Sequence, residues 1–215
     1  MDGPAGAGKS TLAKIVASRL GYLYIDTGAM YRALAVKALR LGIDIEDDEA
    51  LAAMAAQTQV HLDRGVGVAN RVFLDGEDVT NEIRSPAVTR IVSRVSAAPG
   101  LRRYMVEAQR ELARSGGVVM DGRDIGSHVL PNADFKFFIT ASLHERALRR
   151  QQQLMKAGHQ LPLEQIEAEI AHRDEQDRNK GESSLMQTPD AILIDTSGRS
   201  VDEVVEEILQ YTRRG

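Results

Sequence analysis

Cysteine and tryptophan are absent from this 215-residue chain, and aromatic residues make up only 4% of it. Without cysteine there are no disulfides and no thiolate metal sites, which fits a reducing compartment. So few aromatics leave no stacking platform for a single nucleic-acid strand. No apolar run approaches the length of a membrane span. The formal net charge of -4 argues against a general nucleic-acid binder, since a phosphate backbone asks for a basic surface. Basic groups that matter must therefore be local. No charged and apolar leader precedes the first motif, and the reading expects a cytoplasmic protein. What is present, 43% hydrophobic and 27% charged residues, is an ordinary globular composition. The length suits one α/β domain with a small insertion and a real core.

The most informative stretch stands at the very start. Gly3-Pro4-Ala5-Gly6-Ala7-Gly8-Lys9-Ser10 spells a complete phosphate-binding loop, followed by Thr11 and a helix-forming run. The glycines allow successive backbone N–H groups to turn inward around phosphate oxygens, where side chains would block the approach. Lys9 then reaches the β and γ phosphates, and the Ser10 hydroxyl can ligate Mg²⁺. The helix that follows offers its N-terminus to the same anion. Only Met1 and Asp2 precede Gly3, so the apolar strand that normally delivers a chain into such a loop is missing.

Downstream, short apolar runs alternate with helical stretches, which predicts an α/β domain with a mostly parallel sheet. Strands are expected at 22–26, 118–121, 135–139 and 191–194. Helices are expected from Ala29 to about Leu41, Asp47 to Gln57, Pro86 to Ala97, Pro99 to Arg114, Ser142 to Lys156, Leu163 to Arg178 and Val201 to Tyr211. Between 59 and 74 the texture changes, and two short β-prone runs flanking a glycine-bearing loop predict a small antiparallel ribbon, an insertion.

Three further constellations carry chemistry. Asp26-Thr27-Gly28 ends a strand and opens a helix, aiming polar groups at the cleft beyond the strand, with Arg32 about one turn on and able to pair with a phosphate. Asp121-Gly122-Arg123-Asp124 likewise follows an apolar strand. Asp121 has the position of a carboxylate that holds a water on Mg²⁺, while Arg123 and Asp124 project onward. Arg146, Arg149 and Arg150 share one helix face, and Arg173 with Asp177 shares another. The Lys156–His159 loop between those helices can let the pair close as a lid. The five histidines show no metal-ligand spacing or nearby partners. There is no Ser-His-Asp or Cys-His grouping either. A phosphate acceptor needs no general base, because its second pKa near 6 leaves it mostly a dianion at pH 7.

Together, Gly3 to Thr11, Asp26 to Arg32, Gly76-Glu77-Asp78-Val79-Thr80-Asn81-Glu82-Ile83-Arg84, Asp121 to Asp124 and Arg173-Asp174-Glu175-Gln176-Asp177-Arg178-Asn179 resemble the bacterial cytidylate kinases. The likeness spans nearly the whole chain in order. It implies a P-loop nucleoside monophosphate kinase fold: a parallel sheet of order 2-3-1-4-5 flanked by helices, with a monophosphate-binding insertion at about 58–97 and a short lid at about 146–180, all in one domain over 1–215. It also implies transfer of the ATP γ-phosphoryl group to CMP or dCMP with Mg²⁺, by a monomer that takes no nucleic-acid polymer and no membrane as partner. Carried over by position, Lys9, Arg123 and Arg173 would be catalytic. Thr27, Arg32, Arg123, Arg173 and Lys180 would surround the acceptor, with Asp177 on the ribose. Ser93, Arg102 and Asp124 would read cytosine, and Arg146 and Arg150 would be lid arginines over ATP. The family usually has Arg where this chain has Lys180, which turns a bidentate contact into a point charge.

Cytosine presents an exocyclic N–H₂ donor beside two acceptors, so a carboxylate at Asp124 and a guanidinium at Arg102 complement it, whereas uracil opposes like with like. Rival readings are a small P-loop kinase for another monophosphate or a metabolite such as shikimate, and a P-loop switch protein. The insertion and the Arg102 with Asp124 pair disfavour the first, and no Asn-Lys-x-Asp segment supports the second. In the implied order the strand before the loop is the central one. The expectation is therefore a late start or a truncated chain.

Overall fold

Alternation of short apolar strands with helices is what the computed structural model displays over residues 1–63, 71–156, 158–179 and 184–214. Its elements form two compact units, one made of Met1–Arg19 with Asp121–Gly215, the other of Leu20–Met120.

The first unit holds α1 (Lys9–Leu20), later α6 (Leu143–Lys156), α7 (Leu163–Arg178) and α8 (Val201–Arg214), with strands β6 (Phe137–Thr140) and β7 (Ile192–Asp195). β6 and β7 run parallel in the register Phe137↔Ile192 to Thr140↔Asp195. On the β6 side, Asp2 makes a parallel bridge to Phe138. Its N–H donates to the Phe137 carbonyl at 2.8 Å, and its carbonyl accepts from Ile139 N–H at 2.8 Å. Asp2, just ahead of the phosphate loop, thus supplies backbone partners to β6, while the Met1 carbonyl accepts from Gly122 N–H. Helix α8 buries Val204, Val205, Ile208 and Leu209, an i, i+1, i+4, i+5 stripe. Helices α6 and α7 form a hairpin over Ala147, Ile166 and Ile170, closed by Leu154, Leu161 and Leu163.

The second unit pairs β1 (Leu23–Asp26) with β5 (Val118–Asp121) and carries α2 (Thr27–Leu41), α3 (Asp48–Ala56), α4 (Pro86–Val95) and α5 (Pro99–Ala113). Asp26 caps α2 by accepting from Ala29 N–H, so that helix begins two residues before the expected Ala29 and ends, as expected, at Gly42. Ser85 caps α4, with Pro86 in the first turn where its missing N–H costs nothing. The ribbon is antiparallel, with β2 (Val60–Leu62) against β3 (Val72–Leu74), and the expected glycine-bearing loop between them lies outside the described residues. A third strand, β4 (Glu77–Asp78), turns back on β3 through Asp75 and Gly76, at φ 51° and 88°. Two positive φ values in sequence mark the hairpin turn whose twist suits paired strands. Charge fastens the ribbon to α2: Lys37 meets Asp75 at 2.7 Å, and Arg40 bonds the carboxylates of both Glu77 and Glu82. Those two acidic partners push the Arg40 guanidinium pKa upward.

Candidate active site

The phosphate loop leads straight into α1, where Thr11 and Leu12 N–H groups both return to the Gly8 carbonyl at 3.1 Å. Lys9 is 5% exposed and donates through Nζ to the Pro4 carbonyl at 2.8 Å, folding its stem back along the loop. Burial lowers its pKa to about 7, the Arg123 charge adds to this and Arg173 lowers it further, while Asp121 and Asp2 oppose. Three cations from distant parts of the sequence therefore converge here, as an anion site requires. Ser10 Oγ donates to Asp121 Oδ2 at 2.8 Å, bringing the hydroxyl and the carboxylate expected at a Mg²⁺ site into contact. Arg123 Nε donates to Asp177 Oδ2 at 2.7 Å. Asp177 and Asp124 are both buried, and Arg173 is half-buried.

The outside of the loop is held by α6. Arg146 donates to the carbonyls of Ala5 and Ala141, both at 3.1 Å, and pairs with Asp174 of α7 at 2.7 Å. Arg149 reaches Thr196, through Oγ1 at 2.9 Å and the carbonyl at 2.7 Å, while the Thr196 hydroxyl bonds the Ala7 carbonyl at 3.2 Å. Arg150 is exposed. Arg146, expected as a lid arginine, is thus a buried brace whose guanidinium is already engaged. Its partner is itself buried, and Asp174 Oδ1 has no hydrogen-bond partner among the described residues. Removing one member of such a pair strands the other charge. Asp174→Ala is accordingly expected to cost about 3 kcal/mol of unfolding free energy in urea titration, far more than an exposed pair is worth.

The second unit, by itself, carries a set of its own. Thr27 is buried at the start of α2. Arg32 donates to the Ile83 carbonyl and to Thr89 Oγ1, both at 3.0 Å, joining α2 to the segment leading into α4 and to α4 itself. Arg102 on α5 donates to the Tyr31 hydroxyl at 3.4 Å, and half-buried Ser93 lies on α4. Lys180 lies outside the described residues. Thr89, Tyr31, Asp174 and Thr196 receive no role from the sequence, and Arg149 only a place on the face of its helix. Tyr31 and Asp174 fall inside motifs that were recognised, whereas Thr196 carries no local signal. Two exposed histidines have hydrogen-bond partners: His144 Nδ1 lies 2.8 Å from Glu167 Oε1, and His172 lies 3.1 Å from Gln176. No cluster of three metal-binding side chains occurs among the described residues.

Comparison with known proteins gives the same direction. The family model described as cytidylate kinase matches residues 1–214. A cytidylate kinase of Symbiobacterium thermophilum is 68% identical over 214 residues, covering 100% of this chain and 95% of that one. One from Desulfitobacterium hafniense is 53% identical over 209 residues, covering 97% and 89%. A bifunctional pantoate ligase/cytidylate kinase of Synechococcus is 51% identical over 216 residues, and this chain spans 40% of its length. Among solved structures, an uncharacterized protein from Eubacterium ventriosum shares the fold at TM-score 0.53 and 12% identity, covering 100% of this chain and 96% of that one. With the family model matched from end to end, the chain belongs to the cytidylate kinase family.

Proposed function

We propose that this chain transfers the γ-phosphoryl group of ATP to CMP or dCMP, giving ADP and CDP or dCDP. The observation that carries the reading is the convergence of Lys9, Arg123 and Arg173 beside the phosphate loop, strong enough for both arginines to depress the Lys9 pKa. The loop amides and Lys9 hold the phosphates of ATP. Arg123 and Arg173 draw charge from the transferring group and position the acceptor dianion for in-line attack, with no general base needed. Asp177 orients Arg123 through their 2.7 Å bond and accepts from the acceptor's ribose. Arg32 and Thr27 bind the acceptor phosphate with Lys180, and Ser93, Arg102 and Asp124 read cytosine. Arg150 covers ATP, and Arg146 supports the loop from behind.

Ser10 and Asp121 suit a hard cation, supplying one hydroxyl and one carboxylate while phosphate oxygens and water complete the set. A cation held by these residues would supply positive charge against the phosphate oxygens. Ser10 would ligate it directly and Asp121 through water.

At the level of architecture, the reading is one kinase domain with sheet order 2-3-1-4-5, an acceptor-binding insertion at about 58–97 and lid helices at about 146–180. The β1 with β5 and β6 with β7 pairs, and the bridge from Asp2 to Phe138, support that order. Closure of the lid keeps water from competing as acceptor. No helix among the described residues is long and apolar enough to cross a membrane. We place the enzyme in the cytoplasm as a monomer.

A panel assay of ATP consumption against CMP, dCMP, UMP, AMP and GMP tests the reading. CMP and dCMP are the expected acceptors, and consumption independent of added CMP would refute it. In Asp124→Ala the CMP over UMP preference is expected to fall by about 10- to 100-fold, the cost of one unpaired buried group. An unchanged preference removes Asp124 from base recognition.

A further inference from the structure

The segment carrying Arg123 and Asp124 is irregular, and its shape is imposed from outside. Five residues after Asp124, Ile125–Val129, form a single π turn, a geometry that cannot be read from periodicity. Its first two N–H groups, those of Ile125 and Gly126, converge on one carboxylate: Ile125 donates to Asp2 Oδ1 and Gly126 to Asp2 Oδ2, each at 2.8 Å. Asp2 is 7% exposed, and its own backbone is clamped to β6 on both its N–H and its carbonyl. The far side of the same peptide is also engaged, since the Asp124 carbonyl accepts from His128 at 2.9 Å and Val129 at 3.2 Å. The start of the segment is tied down by the preceding residue, with Gly122 N–H donating to the Met1 carbonyl at 3.0 Å. Both polar groups of the peptide joining Asp124 to Ile125 are therefore committed, and the Asp124 side chain retains little beyond its own rotamers.

We propose that Asp2 is a positioning residue for the acceptor: its carboxylate holds two adjacent amides of the Gly122–Gly126 segment and thereby fixes how Asp124 and Arg123 are presented to the cytosine and its phosphate. This rests on the assignment of Asp124 to base recognition. A carboxylate is required because it accepts at both oxygens, whereas an amide of the same shape sets its own N–H₂ against one of the two N–H groups. Residue 126 packs closely against the clamp. A Cβ there would stand 3.3 Å from Asp2 Oδ2 and 3.1 Å from the Lys136 stem.

Asp2→Asn is expected to weaken CMP binding about 10-fold or more in calorimetric titration and to narrow the CMP over UMP preference by a similar factor, with ATP affinity changed less than about threefold. Wild-type CMP affinity and preference in Asp2→Asn overturn the assignment, and so does an equal fall in CMP and ATP affinity, which marks general damage. If Asp2→Asn does not fold by circular dichroism, Gly126→Ala decides by the same criteria, because its added methyl pushes on the carboxylate while Asp2 stays in place. Asp124→Ala run alongside separates two failures. Preference lost in Asp124→Ala but intact in the other variants overturns the role of Asp2 alone, and preference intact in Asp124→Ala overturns the reading beneath it.

Discussion

Lys9→Ala is expected to lower kcat by about 10³-fold or more, with the circular dichroism spectrum retained. The side chain is 5% exposed and donates one hydrogen bond, to the Pro4 carbonyl, so its contacts contribute little to the folded state. Its pKa near 7, set first by burial and then by Arg123, gives this prediction a second readout. Between pH 7 and 10.5 the unfolded chain holds the lysine proton while the folded chain has released it. Folding stability therefore rises with pH across that window, and the penalty is full below its lower edge. Relative to Lys9→Ala, the wild type should gain up to about 1.4 kcal/mol per pH unit on going from pH 7 to 9. Urea titrations of both proteins at the two pH values measure the difference. A difference that stays flat would mean that Lys9 is charged in the folded protein throughout. Nucleotide binding at pH 8 should draw a proton onto Lys9, detected as a binding enthalpy that depends on the buffer's ionisation heat in wild type and less so in the alanine variant.

Gly3→Ala is the most damaging single methyl expected here. Gly3 sits at φ 143°, which L residues avoid, and a Cβ built on it would lie 1.9 Å from the Ile139 carbonyl oxygen. That oxygen belongs to β6, whose backbone is already bonded to Asp2 and to β7, so it cannot step aside cheaply. A loss of roughly 5 kcal/mol or more follows, the range in which a domain fails to accumulate folded. Soluble yield and thermal midpoint check it. A midpoint within a few degrees of wild type would show that the strand gives way.

Elements set by local pattern were legible in the sequence. Helix α7 spans the expected Leu163–Arg178 and β5 the expected Val118–Asp121, because one has sustained helical character and the other is a short apolar run with sharp ends. β4 escaped notice, since two acidic residues carry no strand pattern and pair only because a turn delivers them. The π turn escaped for a different reason: its amides are satisfied by Asp2, more than a hundred residues earlier. At the site, residue types and spacing identified the loop and assigned Ser10 and Asp121 to one Mg²⁺ site, but the bond between Arg123 and Asp177, 54 residues apart, has no local signal. Spacing did not reveal that Arg146 is buried, because its partner Asp174 lies on the following helix. Exposed and buried arginines look alike when only their own helix is read.

The carbonyls of Ala5 and Ala7 also bear on how the loop grips an anion. Each belongs to a peptide whose N–H is that of the next residue, Gly6 or Gly8. Arg146 takes the first carbonyl, and Thr196, backed by Arg149, takes the second. A peptide polarised at its oxygen is a stronger donor at its nitrogen. Helix α6 and the turn after β7 therefore act as an electron-withdrawing backing to the loop, and its affinity for phosphate is tuned from the side that phosphate never touches.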